Sequence, residues 1–261
     1  MKALRSLLLA LLCLLAGIPA QAQITDLNTA INKAGRERML SQRMAKAYFQ
    51  IGLQVETERS HKILEASVAL FDRQLVELKN FAPTPEIRDT YLKLEQAWLT
   101  YKDLLLGSAP GQANARKVLA QSDDVLALCH QGTQQLEKQA GSPTGRLVNV
   151  SGRQRMLSQR IAKFYQAMAW SVSAPGAPAE MEKARKEFTA ALQELMAAPA
   201  NTQAIKDGLG LVQQQWFFFD AAVMQRAGGD KRAAQAVATT SERILEQMEI
   251  VVGLYEKLPA K

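Results

Sequence analysis

The chain has 261 residues, of which 48% are apolar and 22% charged, with a formal charge of +7 and two cysteines. That length suits one large domain or two small ones. One cysteine, Cys13, falls in an N-terminal leader, so Cys129 stands alone, makes no internal disulfide and reads as a small buried apolar residue. The positive charge raises nucleic acid as a partner. The leader argues against it and leaves small anions as the class that a mild basic excess favours.

The leader comes first. Lys2 and Arg5 form a basic start, Leu7 to Leu15 is wholly apolar, and Ala20-Gln21-Ala22 supplies small residues before a cleavage point after Ala22. The apolar run is too short to favour a membrane span, and an uncleaved anchor is the lesser alternative. Cys13 is not preceded by a lipoprotein-type segment. A soluble, exported, periplasmic chain is therefore expected.

Next comes Asn32 to Tyr48, which returns almost unchanged as Asn149 to Tyr165, 117 positions later, with 12 of 17 positions identical. The duplication runs further. Leu94-Glu95-Gln96-Ala97-Trp98 matches Val212-Gln213-Gln214-Gln215-Trp216, and Ser122-Asp123-Asp124-Val125-Leu126 matches Ser241-Glu242-Arg243-Ile244-Leu245 at an offset that drifts to 119. The chain thus reads as a tandem repeat, with a leader at 1–22 and two domains at 23–142 and 143–261.

Each half reads as four helices, because alternation is weak and Ala, Leu, Gln, Glu, Lys and Arg dominate. Breaks fall near Glu56 to Ser60, at Pro83/Pro85, at Gly107 to Gly111 and at the Gly141 to Gly145 linker. In the second half they fall at Ala174 to Pro178, at Pro199 and at Gly228-Gly229. The expected fold is all-α, two tandem antiparallel four-helix bundles. Four antiparallel helices return the chain to its starting end, so the two copies of the repeated helix should run parallel.

On a helical projection of about 100° per residue, Leu40, Met44, Ala47 and Ile51 form one apolar stripe, facing the bundle core. The opposite face carries Gly35, Met39, Gln42 and Lys46, flanked by Arg38 and Arg43. A solvated face has no need of glycine, which costs about 1 kcal/mol relative to alanine in mid-helix. Close approach of a second helix or a ligand would explain it. Two such seams, face to face, would bring Arg38 near Arg155 and Arg43 near Arg160. A small oxyanion between them would relieve the repulsion and accept charge-assisted hydrogen bonds. The competing assignment pairs these arginines with carboxylates such as Glu37 or Asp123, or leaves them in water.

Asn32-Lys33-Ala34-Gly35, Arg38-Met39, Ser41 and Arg43 resemble the signature segment of the PilJ/NarX-type periplasmic sensor domain, the N-terminal domain of type IV pili methyl-accepting chemotaxis transducers. The resemblance implies a four-helix sensory bundle whose first helix binds an anion at a dimer seam. Carried onto this chain, it makes Gly35, Arg38, Arg43, Gly152, Arg155 and Arg160 the expected anion-binding residues. Asn32, Gln42, Lys46, Asn149, Gln159 and Lys163 are expected in support.

The expected function is binding of a small oxyanion, nitrate or nitrite first, linked to signal transduction, with the tandem forming an intramolecular pseudo-dimer or a homo-oligomer. No cofactor is expected. Family members usually continue into signalling modules, whereas this sequence stops at Lys261, so a membrane sensor kinase or chemoreceptor is the expected partner. The alternative is an adaptor that docks onto such a sensor through its polar seam, without a ligand of its own. An enzyme is not expected: His61 and His130 occupy non-matching places and read as surface residues, Cys129 beside His130 lacks metal-ligand spacing, and Trp98 and Trp216 read as core anchors.

Overall fold

A computed structural model describes residues 24–172, 175–225, 227 and 231–259. The leader and its cleavage point lie outside the described residues, as do parts of the breaks expected at 174–178 and 228–229. Among the described residues the protein is built of eight helices without strands. They are α1 (Leu27–Leu53), α2 (Thr57–Phe81), α3 (Pro85–Leu106), α4 (Gln112–Ala140), α5 (Pro143–Ala169), α6 (Ala177–Ala197), α7 (Gln203–Val223) and α8 (Lys231–Glu256). None is long and apolar enough to cross a membrane.

Local chemistry sets most of the helix ends. Asp26, Thr84, Ser142 and Thr202 each accept a backbone N–H of the first turn through a side-chain oxygen, and Pro85 and Pro143 open α3 and α5 where a missing N–H costs nothing. Gly141 closes α4 at φ 59°, a backbone conformation glycine adopts freely. The α1–α2 turn is different: Gln54 and Glu56 take the left-handed conformation at φ 57° and 49° without a glycine. That turn therefore sits at 54–56, a little before the break expected near 56–60.

Each half is an antiparallel four-helix bundle. In the first, α1 packs on α2 and α4, and α3 on α4; in the second, α5 packs on α6 and α8, and α7 on α8. The expected apolar stripe is the core: Leu40, Met44, Ala47 and Ile51 are buried, as are Leu157, Ile161 and Phe164. The tryptophans occupy matching places. Trp98 stacks on Phe71 and Trp216 on Phe188, each with ring centroids 4.1 Å apart. Trp98 is buried while Trp216 is only partly so. Cys129 is buried, as expected, and burial pushes its thiol well above the ordinary range.

The two bundles join through α1 and α5, which pack along their length. Gly35 faces Gly152, Arg155 reaches back to Asn32 and Arg38 to Asn149, and Phe49 lies beside Trp170 at the far end. The two helices therefore run parallel and in register, as four helices per half require. By contrast α8 runs antiparallel to α1, with Asn32 bonded to Glu256 and Lys46 to Ser241.

Candidate anion site

The α1–α5 seam is polar and buried. Arg38, Gln42, Lys46, Arg155, Gln159 and Lys163 are all fully buried. Two glycines make this approach possible. A Cβ added to Gly35 would lie 3.3 Å from Arg38 Nη2, 3.4 Å from Arg155 Nη2 and 3.8 Å from the Gly152 Cα. One added to Gly152 would lie 3.2 Å from Arg155 Nη2 and 3.7 Å from Arg38 Nη2. Both guanidiniums thus pack against the glycine contact, where a side chain would crowd them.

Reciprocal bonds hold those guanidiniums in place. Arg38 Nη2 donates to Asn149 Oδ1 (2.7 Å) and to the Asn149 carbonyl (3.3 Å). Arg155 Nη2 donates to Asn32 Oδ1 (2.9 Å) and to the Asn32 carbonyl (3.1 Å). Each asparagine amide in turn donates to a carboxylate at the end of its partner helix: Asn32 to Glu256 at 2.7 Å, and Asn149 to Glu137. Both arginine Nε atoms are buried without a hydrogen-bond partner among the described residues.

The two halves differ in what meets the second terminal nitrogen of each guanidinium. Arg155 Nη1 donates to Glu249 Oε2 at 2.7 Å, and Arg36 chelates the same carboxylate through Nε at 3.1 Å and Nη2 at 2.8 Å. The place matching Glu249 in the first half is His130, whose Nδ1 lies 3.3 Å from Arg38 Nη1. A guanidinium has only donors, so this ring nitrogen is the acceptor and the imidazole proton sits on Nε2. The expectation of a surface histidine is thus corrected: His130 is half-buried against the seam. Arg153, the counterpart of Arg36, turns instead to Glu187 on α6 at 2.7 Å.

The electrostatics follow from this difference. Burial pulls the Arg38 guanidinium down to about 9, with Arg153 and Arg155 adding repulsion. Burial lowers Arg155 too, but Glu249 offsets it. Burial alone would raise Glu249; Arg155 and Arg36 overcome it and hold that carboxyl down to about 2. Both guanidiniums remain charged at neutral pH, and only Arg155 has a carboxylate bonded to it.

Arg43 and Arg160 do not meet each other at this point. Arg43 chelates Glu242 on α8 through Nε at 3.2 Å and through Nη2, and Lys46 donates to the same carboxylate. Arg160 pairs with Asp123 on α4 and with Glu180 at 3.0 Å, and Lys163 donates to Asp123 at 2.8 Å. Gln42 and Gln159 donate to the carbonyls of Ser122 and Ser241 at 2.9 and 3.0 Å. These residues lash α1 and α5 to the last helices of the two bundles. Of the expected carboxylate partners, Asp123 is one, and Glu37 is not. Glu37 is fully buried in the first bundle with neither oxygen bonded. Burial there raises its carboxyl well above the ordinary range; its counterpart in the second half is the uncharged Gln154.

Because α1 and α5 bury each other, their seam is not open to an outside helix. Among the described residues no cluster of histidine, cysteine and carboxylates is placed to hold a metal.

Comparison with known proteins agrees with the duplication. The model of the type IV pili methyl-accepting chemotaxis transducer N-terminal domain, PilJ, matches residues 21–127 and 139–241. Neither curated proteins nor solved structures give a match. Such domains are typically extracytoplasmic sensor regions of chemoreceptors, with a sensory and not a catalytic role. Matched over most of its length, and twice in register, the chain belongs to the PilJ family and carries two of its domains in tandem.

Proposed function

We propose that this is a periplasmic sensory protein, exported by the leader at 1–22, that binds one small oxyanion, nitrate or nitrite first, between the motif helices of its two domains at 23–142 and 143–261. The observation that carries the reading is the convergence of the Nη2 atoms of both Arg38 and Arg155 on the Gly35–Gly152 contact. Two buried guanidiniums at such range repel strongly in a low-dielectric seam. A planar anion accepting from both forks relieves that repulsion, and lysine would not offer the same geometry.

In this reading Asn32 and Asn149 aim the guanidiniums. Gln42, Lys46, Arg43, Gln159, Lys163 and Arg160 couple the seam to α4 and α8, through which occupancy would be felt by the rest of each bundle. The partner proposed is a membrane sensor kinase or chemoreceptor, docking on faces other than the α1–α5 seam. The reciprocal arginine–asparagine bonds favour a second reading, a permanent clasp that needs no ion.

A thermal-shift panel separates the two. At a concentration about 100-fold above Kd, a ligand of the folded state adds about 2.7 kcal/mol, which for a chain of this size raises Tm by about 5–10 °C. Nitrate or nitrite is expected to give such a rise, with chloride and sulfate giving much less. A flat panel would leave only the clasp.

A further inference from the structure

We propose that the anion site is one-sided: its ligand enters through the cleft between α4, α5 and α6, and His130 is the residue that leaves the charge of Arg38 free to receive it. This rests on the anion reading above and says which half of the pseudo-symmetric seam the ligand enters and what selects it there.

The cleft measures about 230 Å³, and its walls include His130, Arg153, Met156, Arg160, Lys183 and Glu187. A water occupies about 30 Å³ in the liquid, so a small hydrated anion fits. His130 stands at the inner wall, with Nδ1 turned to Arg38. The groups around it are mostly cationic: Arg38 from α1, Arg153 and Arg160 from α5, and Lys183 from α6. The carboxylates of the same cleft are already engaged, Glu187 by Arg153 and Asp123 by Arg160 and Lys163. Behind His130, and itself fully buried, Arg38 is the guanidinium without a carboxylate bonded to it.

The other side of the seam shows what a filled site looks like. Glu249 stands where the repeat places His130, and it accepts from Arg155 through one oxygen while Arg36 chelates both. A protein carboxylate there does for Arg155 what a bound oxyanion would do for Arg38. Two glutamates would neutralise the seam and leave nothing for a ligand to offset; two histidines would leave two buried guanidiniums uncompensated. One of each allows one ligand. Both positions lie beyond the matched segments, which end at 127 and 241. Burial, then Arg38 and Arg153, hold the His130 imidazole down to about 4, so it is neutral in the periplasmic pH range and does not itself recruit the anion by charge.

The test is calorimetric titration of the full chain with nitrate, with nitrite as the second probe, for the parent, His130→Glu and His130→Gln. H130E recreates the Glu249 arrangement on Arg38. It is expected to raise the Tm of the unliganded protein while weakening nitrate binding by more than about tenfold, a loss of about 1.4 kcal/mol. H130Q keeps a neutral acceptor for Arg38 and is expected to bind within about threefold of the parent. A merely structural histidine would not raise stability and lower affinity together in H130E. Undiminished nitrate binding by H130E would overturn this inference and leave the anion site standing. A parent chain that binds neither probe would overturn the anion site, and the inference with it.

Discussion

Arg38→Met is expected to abolish the thermal response to nitrate while leaving the unliganded protein at least as stable as the parent. The two effects have one cause. Arg38 is fully buried, repelled by Arg153 and Arg155, and attracted by Glu137 without a hydrogen bond to it. Replacing an uncompensated buried charge by an apolar side chain of similar length removes a desolvation cost, and exchanges of buried ionic for apolar groups are often neutral or stabilising by about 1–4 kcal/mol. The loss of two bonds to Asn149 pulls the other way by about 1 kcal/mol each, so the net change should lie near zero or above. Arg155→Met should differ. It also removes the nitrate response, but it takes one of two guanidiniums from Glu249, which keeps Arg36, and should cost about 1–2 kcal/mol. Thermal melts of both variants with and without nitrate check this. A destabilised Arg38→Met, matching Arg155→Met, would mean that the two arginines are equivalent pins.

Glu242→Ala should be the most damaging single change on the seam. Glu242 is buried and holds both Lys46, fully buried, and Arg43. Removing one partner of a buried pair strands the other and costs about 3–5 kcal/mol, a large share of the stability of an ordinary domain. Asp123 does the same work for Lys163 and Arg160, but its side chain is 40% exposed. Water screens those pairs, so Asp123→Ala should cost only about 1 kcal/mol. Adding Lys46→Met to Glu242→Ala should restore most of the loss. Chemical denaturation of the four proteins tests the ordering; equal losses at 242 and 123 would contradict it.

Acid titration gives a further check on Glu242. Burial opposes ionisation, but Lys46 and Arg43 hold its carboxyl down to about 2 against an ordinary 4.5. The unfolded chain therefore binds more protons than the folded one between those values, and stability falls as pH falls through that window. In the double variant this part of the acid dependence should be gone.

Much of this was legible in the residues. Duplication, helical content and the even helix number fix the parallel motif helices, and the glycine on the polar face of each marks the contact between them. The core stripe follows from the same projection. Other features were not legible, for physical reasons. His130 and Glu249 lie in the last helices, where the offset has drifted and side chains that serve packing carry little repeat signal. The offset of 119 at Ser122 and Ser241 already sets them opposite each other, but not that both face a guanidinium. The swap of Arg43 and Arg160 to carboxylates on α8 and α4 depends on which faces the bundles present to each other. Glu37 reads as a counter-charge but lies buried in the core with neither oxygen bonded, where burial pushes its carboxyl up. The α1–α2 turn carries no glycine or proline to announce it.

A crystal structure of the full chain grown with nitrate is the most direct measurement. One nitrate per chain is expected, beside the Gly35–Gly152 contact, accepting from Arg38 and Arg155 and entering from the side of His130. An ion bound elsewhere, or a seam unchanged at saturating nitrate with the guanidiniums still tied only to Asn32 and Asn149, would contradict it.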